Sequence, residues 1–206
     1  MSARDRILNR IRQASTPDDV AWQGGGATPA IAMTDGADRM DRFIAQATAA
    51  DATVSRIDNM AALPAALADE LRGRNLPAAI RHGADPAFTA LDWGTVETSQ
   101  GVGRIDEPAT LSRAHYAMAE TGTLVLASGP DNPVTLTFLG ETHFVVLKAS
   151  DIKAGFEGVF AAVRQDGLAP RTLNMVTGPS RSADIGQVLQ LGAHGPIALH
   201  IFVVDA

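Results

Sequence analysis

The chain has 206 residues, with 23 acidic against 17 basic side chains and a formal net charge of −6. No Lys/Arg run interleaves with aromatics, which argues against a nucleic-acid surface, and no segment reaches the roughly 18–20 continuous apolar residues of a membrane span. The sequence contains no cysteine, which excludes disulfides, thiolate nucleophiles, zinc fingers and cysteine-ligated iron–sulfur clusters within this chain.

Ala3-Arg4-Asp5-Arg6 break any signal-peptide apolar core, so a cytoplasmic protein is expected. The length suits one sizeable core. We divide it into residues 1–35, an N-terminal helix and a Gly/Pro-rich linker, and residues 36–206, a single α/β domain.

In chain order, Ile7, Leu8 and Ile11 fall on one helical face, predicting a short amphipathic helix over residues 3–14. The following stretch carries Pro17, the triplet Gly24-Gly25-Gly26 and Pro29, a linker composition. Trp22 within it is expected to anchor the arm by packing, with covering a pocket as the other reading. Met40, Phe43, Ile44 and Ala47 predict a helix and Ala52 to Ile57 a strand. Leu67 and Leu71 predict a helix entered near Pro64 and closed near Gly73. Ala78 to Arg81 reads as a strand, followed by a Pro/Gly-punctuated stretch through Gly103.

Over Thr110 to Ala119 a short helix and then a strand is expected, because Leu111, Ala114 and Met118 suit helical spacing. Strands are predicted over Thr123–Ala127 and His143–Leu147, separated by a loop with Pro130, Asn132 and Pro133 that could cover a site. Phe156, Val159, Phe160 and Val163 give a helical face with Ser150 or Asp151 as cap, leading to a strand over Leu173–Thr177. This alternation is α/β grammar with a mostly parallel, Rossmann-like sheet, and the βαβ rhythm is expected to run to the end.

Three blocks carry chemistry. Gly178-Pro179-Ser180-Arg181-Ser182-Ala183-Asp184 follows a strand pattern and precedes a helical one, so we expect a strand-to-helix turn. Unpaired N–H groups at the helix start would hold an anion with Arg181 adding a guanidinium fork. The competing reading is a strand exit with Ser180 or Ser182 as N-cap, a solvated Arg181, and Asp184 fixing Arg181 or capping the turn. In Ala119-Glu120-Thr121-Gly122-Thr123, Glu120 stands beside two hydroxyls at a strand end, either as acid, base or nucleophile or as an ordinary turn residue. In Gly192-Ala193-His194-Gly195-Pro196, the flanking glycines expose His194 to a ligand, although a loop histidine can equally be plain surface. Ser128 is a weaker candidate. His143 and His200 sit in apolar strands, where hydrogen-bonded core histidines are expected.

Glu120, Arg181 and His194 each adjoin a strand, which predicts convergence beyond the carboxyl ends of a parallel sheet. Other signatures are missing. The serine block is not a Gly-x-Ser-x-Gly elbow, Gly101-Val102-Gly103 lacks the third glycine of a dinucleotide fingerprint, and there is no Walker loop or His-Glu-x-x-His.

Taken together, Ala119–Leu126, His143 opening a Val-rich strand, Thr177–Ile185, Gly192–Pro196 and Leu199-His200 with the closing strand resemble the LUD-domain family, of the lactate-utilisation protein C type. The likeness covers roughly the last hundred residues. Leu139-Gly140-Glu141-Thr142 departs from the Leu-Pro pair and arginine usual before the family's histidine.

The resemblance implies an architecture like that of CoA-transferases and sugar-phosphate isomerases. It also implies a component of a system oxidising L-lactate to pyruvate with iron–sulfur partner proteins, any cluster sitting on those partners and no cofactor on this chain. By this reading Glu120 and His194 are the catalytic candidates. Thr121, Gly122, Thr123, Gly178, Ser180, Arg181, Ser182, Asp184 and Gly195 are the ligand-binding candidates for an anionic small molecule. A stand-alone CoA-transferase-like or isomerase-like enzyme, or a non-catalytic assembly or sensor subunit, remains the alternative.

Overall fold

The computed structural model describes residues 2–14, 38–105, 107–183, 189–192 and 194–205. Trp22 and the glycine triplet lie outside the described residues.

The predicted first helix is α1 (Ala3–Ala14), with Ile7 and Ile11 exposed. α2 (Asp38–Ala49) buries Phe43 and Ala47, one turn apart, and opens with Asp38 and Asp41, which suit the positive end of its dipole. It leads into β1 (Thr53–Ile57). α3 (Leu63–Gly73) has Pro64 in its first turn and buries Leu63, Leu67 and Leu71 at i,i+4 spacing. β2 (Ala79–His82) follows. The stretch read only as Pro/Gly-punctuated holds two further elements, α4 (Pro86–Thr89), capped by the Asp85 carboxylate, and β3 (Glu97–Gln100).

No helix forms over Thr110–Ala119. The segment is β4 (Ala109–Arg113) followed by β5 (Tyr116–Met118). Ala109, Thr110, Leu111 and Ser112 are all buried. A strand covered on both faces loses the alternation that would identify it, so three apolar residues at helical spacing were misleading.

β6 (Thr123–Ala127), α5 (Val134–Phe138), β7 (Thr142–Lys148) and β8 (Ile152–Lys153) come next. α6 (Phe156–Gln165) starts at Gly155 without a side-chain cap; Ser150 and Asp151 fall in a 3-10 turn ahead of β8 instead. β9 (Leu173–Val176) precedes a hairpin of β10 (Arg181–Ala183) and β11 (Leu189–Leu191), and β12 (Ala198–Val204) closes the fold.

The main sheet runs β1-β12-β7-β4-β2-β3, with every neighbouring pair parallel. A second sheet runs β8-β5-β6-β9, and its β5–β6 and β6–β9 pairs are antiparallel. The βαβ rhythm therefore does not persist to the end. The turn through Ala119–Gly122 is far too short for a parallel crossover, which needs about a dozen residues, so β6 folds back on β5.

Three apolar layers hold these parts together. Leu63, Leu67 and Leu71 of α3 and Phe88 of α4 cover one face of the main sheet, against Phe144, Val146 and Phe202. The opposite face, with Val145, Leu147, Ile201 and Val203, packs on α2 and on Ala117, Leu124 and Leu126 of the second sheet. That sheet turns Tyr116, Met118 and Val125 outward onto Val159 and Val163 of α6. A mostly parallel sheet covered on both faces is the expected architecture.

Candidate functional site

The Gly178–Asp184 block does not start a helix among its described residues. Arg181, Ser182 and Ala183 pair with Leu191, Gln190 and Leu189 as one arm of the hairpin, and Asp184 lies outside the described residues. The expected helix N-terminus is thus replaced by a strand edge. Without an aligned set of helical N–H groups, any anion site here rests on side chains and individual turn amides.

Gly178 makes the turn before this hairpin. Its φ is +73°, and a β-carbon there would lie 1.9 Å from the Ala50 carbonyl oxygen. Gly122, at φ +69°, similarly packs against the end of α2, its β-carbon position 2.3 Å from the Ala47 nitrogen. Both positions need glycine for conformation and for space.

The turn lies against the second glycine-flanked block. Ser180 donates its N–H to the Pro196 carbonyl (2.8 Å) and accepts from the Gly192 N–H (3.3 Å). Its hydroxyl accepts from the His194 N–H (3.4 Å). These bonds close a cavity of about 200 Å³ between the two blocks, the end of α5 at Thr137 and Phe138, and the starts of β7 and β12 at His143 and Leu199. It is small beside the roughly 300–1,000 Å³ of drug-sized ligand pockets.

Of the predicted residues, Gly178, Ser180, His194 and Gly195 line this cavity, and Thr177 joins them. Thr121 and Thr123 reach it indirectly through a chain of hydroxyls: Thr121 Oγ1 to Thr123 Oγ1 at 2.6 Å, and Thr123 Oγ1 to Thr177 Oγ1 at 2.7 Å. Glu120 and Arg181 are not in its wall. Glu120 is held by its N–H on the Ala154 carbonyl, at the far end of the hydroxyl chain. Arg181 sits behind Ser180, its guanidinium donating to Asp51 (3.2 Å) and to the Ile197 carbonyl (3.1 Å). Ser128 instead accepts from the Thr172 N–H at 2.9 Å, a loop-closing role.

The cavity also opens at the amino ends of the parallel strands, where β7 and β12 begin, and not at their carboxyl ends. Between the carboxyl ends of β2 and β4 the space is filled. Buried Asp85 is paired with Arg113. The loop with Pro130, Asn132 and Pro133 closes over both: the Ala84 N–H donates to Pro130, and the Asn132 amide donates to the Ala127 and Arg113 carbonyls. A β-carbon on Gly83 would lie 2.0 Å from the Asp131 carbonyl oxygen. The loop covers this end by direct packing.

The two strand histidines differ. His200 is the expected hydrogen-bonded core residue. Arg74 donates to Thr53 Oγ1 (2.7 Å), Thr53 lies 2.7 Å from Nδ1, and Nε2 lies 3.0 Å from Ser55 Oγ. Glu70 is 3.5 Å from Nδ1 but closer to Arg74, at 3.1 Å. Burial, reinforced by the Arg74 charge, pushes His200 down to about 3, so it is neutral. His143 departs from expectation: it is fully buried, yet neither ring nitrogen has a partner among the described residues. Burial pushes it down to about 3 as well.

The LUD domain profile matches residues 40–204. The chain belongs to the LUD domain family. Among the relatives it resembles, an uncharacterized protein of Neisseria meningitidis is 35% identical over 98 residues, covering 47% of this chain and 42% of that protein. A lactate utilization protein C of Geobacillus is 38% identical over 93 residues, covering 43% and 39%. A lactate utilization protein C of Bacillus licheniformis is 30% identical over 119 residues, covering 55% and 50%. The chain thus spans half or less of the length of these relatives. A crystallised DUF162 family protein from Deinococcus radiodurans shares the fold, with a TM-score of 0.61 over 81% of this chain and 96% of that one at 22% identity. Among the described residues of this LUD domain, no helix is long and apolar enough to cross a membrane.

Proposed function

We propose that this LUD domain serves in lactate utilisation and that its cavity holds a small organic anion. The observation carrying this reading is that two blocks far apart in sequence, Thr177–Ser180 and His194–Pro196, are tied by the Ser180–Pro196 hydrogen bond into one cavity wall. The names of the lactate utilization protein C relatives support the pathway.

In this reading Ser180 and His194 contact the ligand, while Gly178 seats their turn against Ala50 and Gly195 lies beside Ser180. Arg181, behind Ser180, is paired with Asp51 and holds the hairpin in place behind the wall. Glu120 lies outside the wall, which favours a binding or assembly subunit over acyl-transfer chemistry at that carboxylate. Because the chain has no cysteine, the electron-carrying iron–sulfur clusters of lactate oxidation are assigned to cytoplasmic partner proteins.

The test is deletion of the gene in its native host and growth on L-lactate as sole carbon source. Loss of growth, restored by the wild-type gene but only weakly by His194→Ala, is the expected result; undiminished growth of the deletion strain would remove the pathway assignment. Restoration by Glu120→Gln would support the binding or assembly role, and its failure in a folded protein would favour chemistry at Glu120.

A further inference from the structure

The apolar stripe of α1 is turned to solvent: Ile7 and Ile11, one turn apart, are 61% and 55% exposed. The helix nevertheless has a built start. Ser2 Oγ accepts the Asp5 N–H at 3.1 Å, and the Asp5 carboxylate takes the Ser2 N–H at 3.0 Å and its hydroxyl at 2.7 Å, a reciprocal cap. Twelve residues alone make a marginal helix in water, so most of its stability has to come from burying that stripe on another surface.

The body of the domain carries a surface of matching character. Ile105, 84% exposed, lies with Phe138, Leu139 and Ile197, all partly exposed, along a groove of about 500 Å³. Exposed apolar side chains scattered singly are ordinary, but four in one groove mark a contact surface. Glu141 stands in the same groove. α1 holds four arginines against one aspartate, a charge of +3 in a chain whose total is −6, which leaves −9 on the rest. Helical spacing sets Arg10 and Arg12 on the two flanks of the Ile7–Ile11 stripe, so helix and groove are complementary in both apolar surface and charge.

Among the described residues the groove wall contains no part of α1, so the helix is offered outward to a different molecule. A lipid surface suits it poorly. It has no tryptophan or phenylalanine to enter a bilayer, and the −9 on the rest of the chain opposes an anionic membrane.

We propose that α1 of one copy docks in the Ile105–Phe138–Leu139–Ile197 groove of a second copy, in a two-fold exchange of arms. Each copy gives one helix and receives one, so a short arm supplies its contact twice. Phe138, His194 and Gly195 belong both to this groove and to the cavity wall. The docked arm therefore stands over the cavity mouth and brings arginine side chains to a cavity whose described lining holds neither arginine nor lysine. The docking does not depend on what the cavity binds.

The test is sedimentation velocity of the full chain together with disulfide trapping. Wild type is expected to sediment as a dimer, and Ile7→Asp, Ile105→Asp and Glu141→Lys each to weaken dimerisation at least tenfold. All three positions are exposed, so the variants keep the fold, which circular dichroism checks. Because the native chain has no cysteine, a disulfide between introduced cysteines reports one contact. A tagged Ile7→Cys chain mixed with an Ile105→Cys chain should form the mixed disulfide at least tenfold faster than with Phe160→Cys, an exposed position on α6.

A monomeric wild type, or a dimer indifferent to Ile7→Asp and Ile105→Asp, overturns the proposal. So does an Ile7→Cys/Ile105→Cys double variant that closes its disulfide only within one chain, which would make the occupant the chain's own arm. Wild type that stays monomeric yet binds vesicles of anionic phospholipid through α1 overturns it in favour of a membrane.

Discussion

Ser180 and His194 are joined through the Ser180 hydroxyl, which accepts the His194 backbone N–H at 3.4 Å. The bond is long, so its worth lies in holding the histidine loop against the hairpin turn more than in its own energy. On the proposed reading of the cavity, Ser180→Ala is expected to weaken binding of L-lactate about fivefold, the equivalent of roughly 1 kcal/mol. Calorimetric titration checks this, with melting temperature as the control; a collapse in stability would show that the serine is structural.

Gly178→Ala forces a side chain into the Ala50 carbonyl at a positive φ. We expect about 2–4 kcal/mol of destabilisation and a melting temperature lower by roughly 5–15 °C. Gly73→Ala is the matched control, since a β-carbon there meets nothing within 4 Å at the end of α3. It should be neutral or raise stability by about 0.5–1 kcal/mol through the unfolded chain. Thermal scans of both variants by circular dichroism decide the matter.

Acid should unfold the protein through its buried histidines. His143 and His200 are held neutral down to about 3 in the fold, against an ordinary value of 6.5 in the unfolded chain. Below that ordinary value the unfolded chain binds more protons, so their contribution is complete above it and is lost as pH falls toward 3. From about pH 7.5 to about pH 5 each histidine removes about 2 kcal/mol of stability. Urea titrations at both pH values should show this drop, with His143→Phe cutting the pH-dependent part roughly in half.

Asp85→Ala leaves Arg113 without its carboxylate and removes the cap on α4. Arg113 keeps some solvent, so a loss of about 2–3 kcal/mol is expected, below the range for a fully enclosed pair. Ligand affinity should not change, because this pair sits at the opposite strand ends from the cavity. Denaturant unfolding and titration of the same sample separate the two effects.

Purified alone, the chain should show no iron–sulfur absorbance and no stoichiometric iron, because it supplies no cysteine ligand. Metal analysis of the isolated chain, and of any protein that co-purifies with it, tests the assignment of the clusters proposed above.

Much of the framework was legible because local rules and tertiary packing agree. Pro64 with Leu67 and Leu71 marked α3, and the apolar runs after Thr142 and Ala198 marked the central strands. Three features were hidden. β4, buried on both faces, carried no alternation. The hairpin after Gly178 was mistaken for a helix start because small polar residues serve both, and which one forms depends on the partner strand Leu189–Leu191. The cavity brought His194, Ser180 and Gly178 together, while Glu120 and Arg181 stayed outside its wall. Strand ends were visible in the sequence, but not that β5 and β6 leave the main sheet and present their turn to α2.

The glycine contacts with α2 carry a mechanical consequence. Gly122 rests on Gln46 and Ala47, and Gly178 rests on Ala50, so the final turn of α2 is a common seat for the turn beside Glu120 and the turn that walls the cavity. At such separations neither turn can shift inward on its own. Any tilt of α2 therefore loads both turns at once, the one beside Glu120 and the one that walls the cavity.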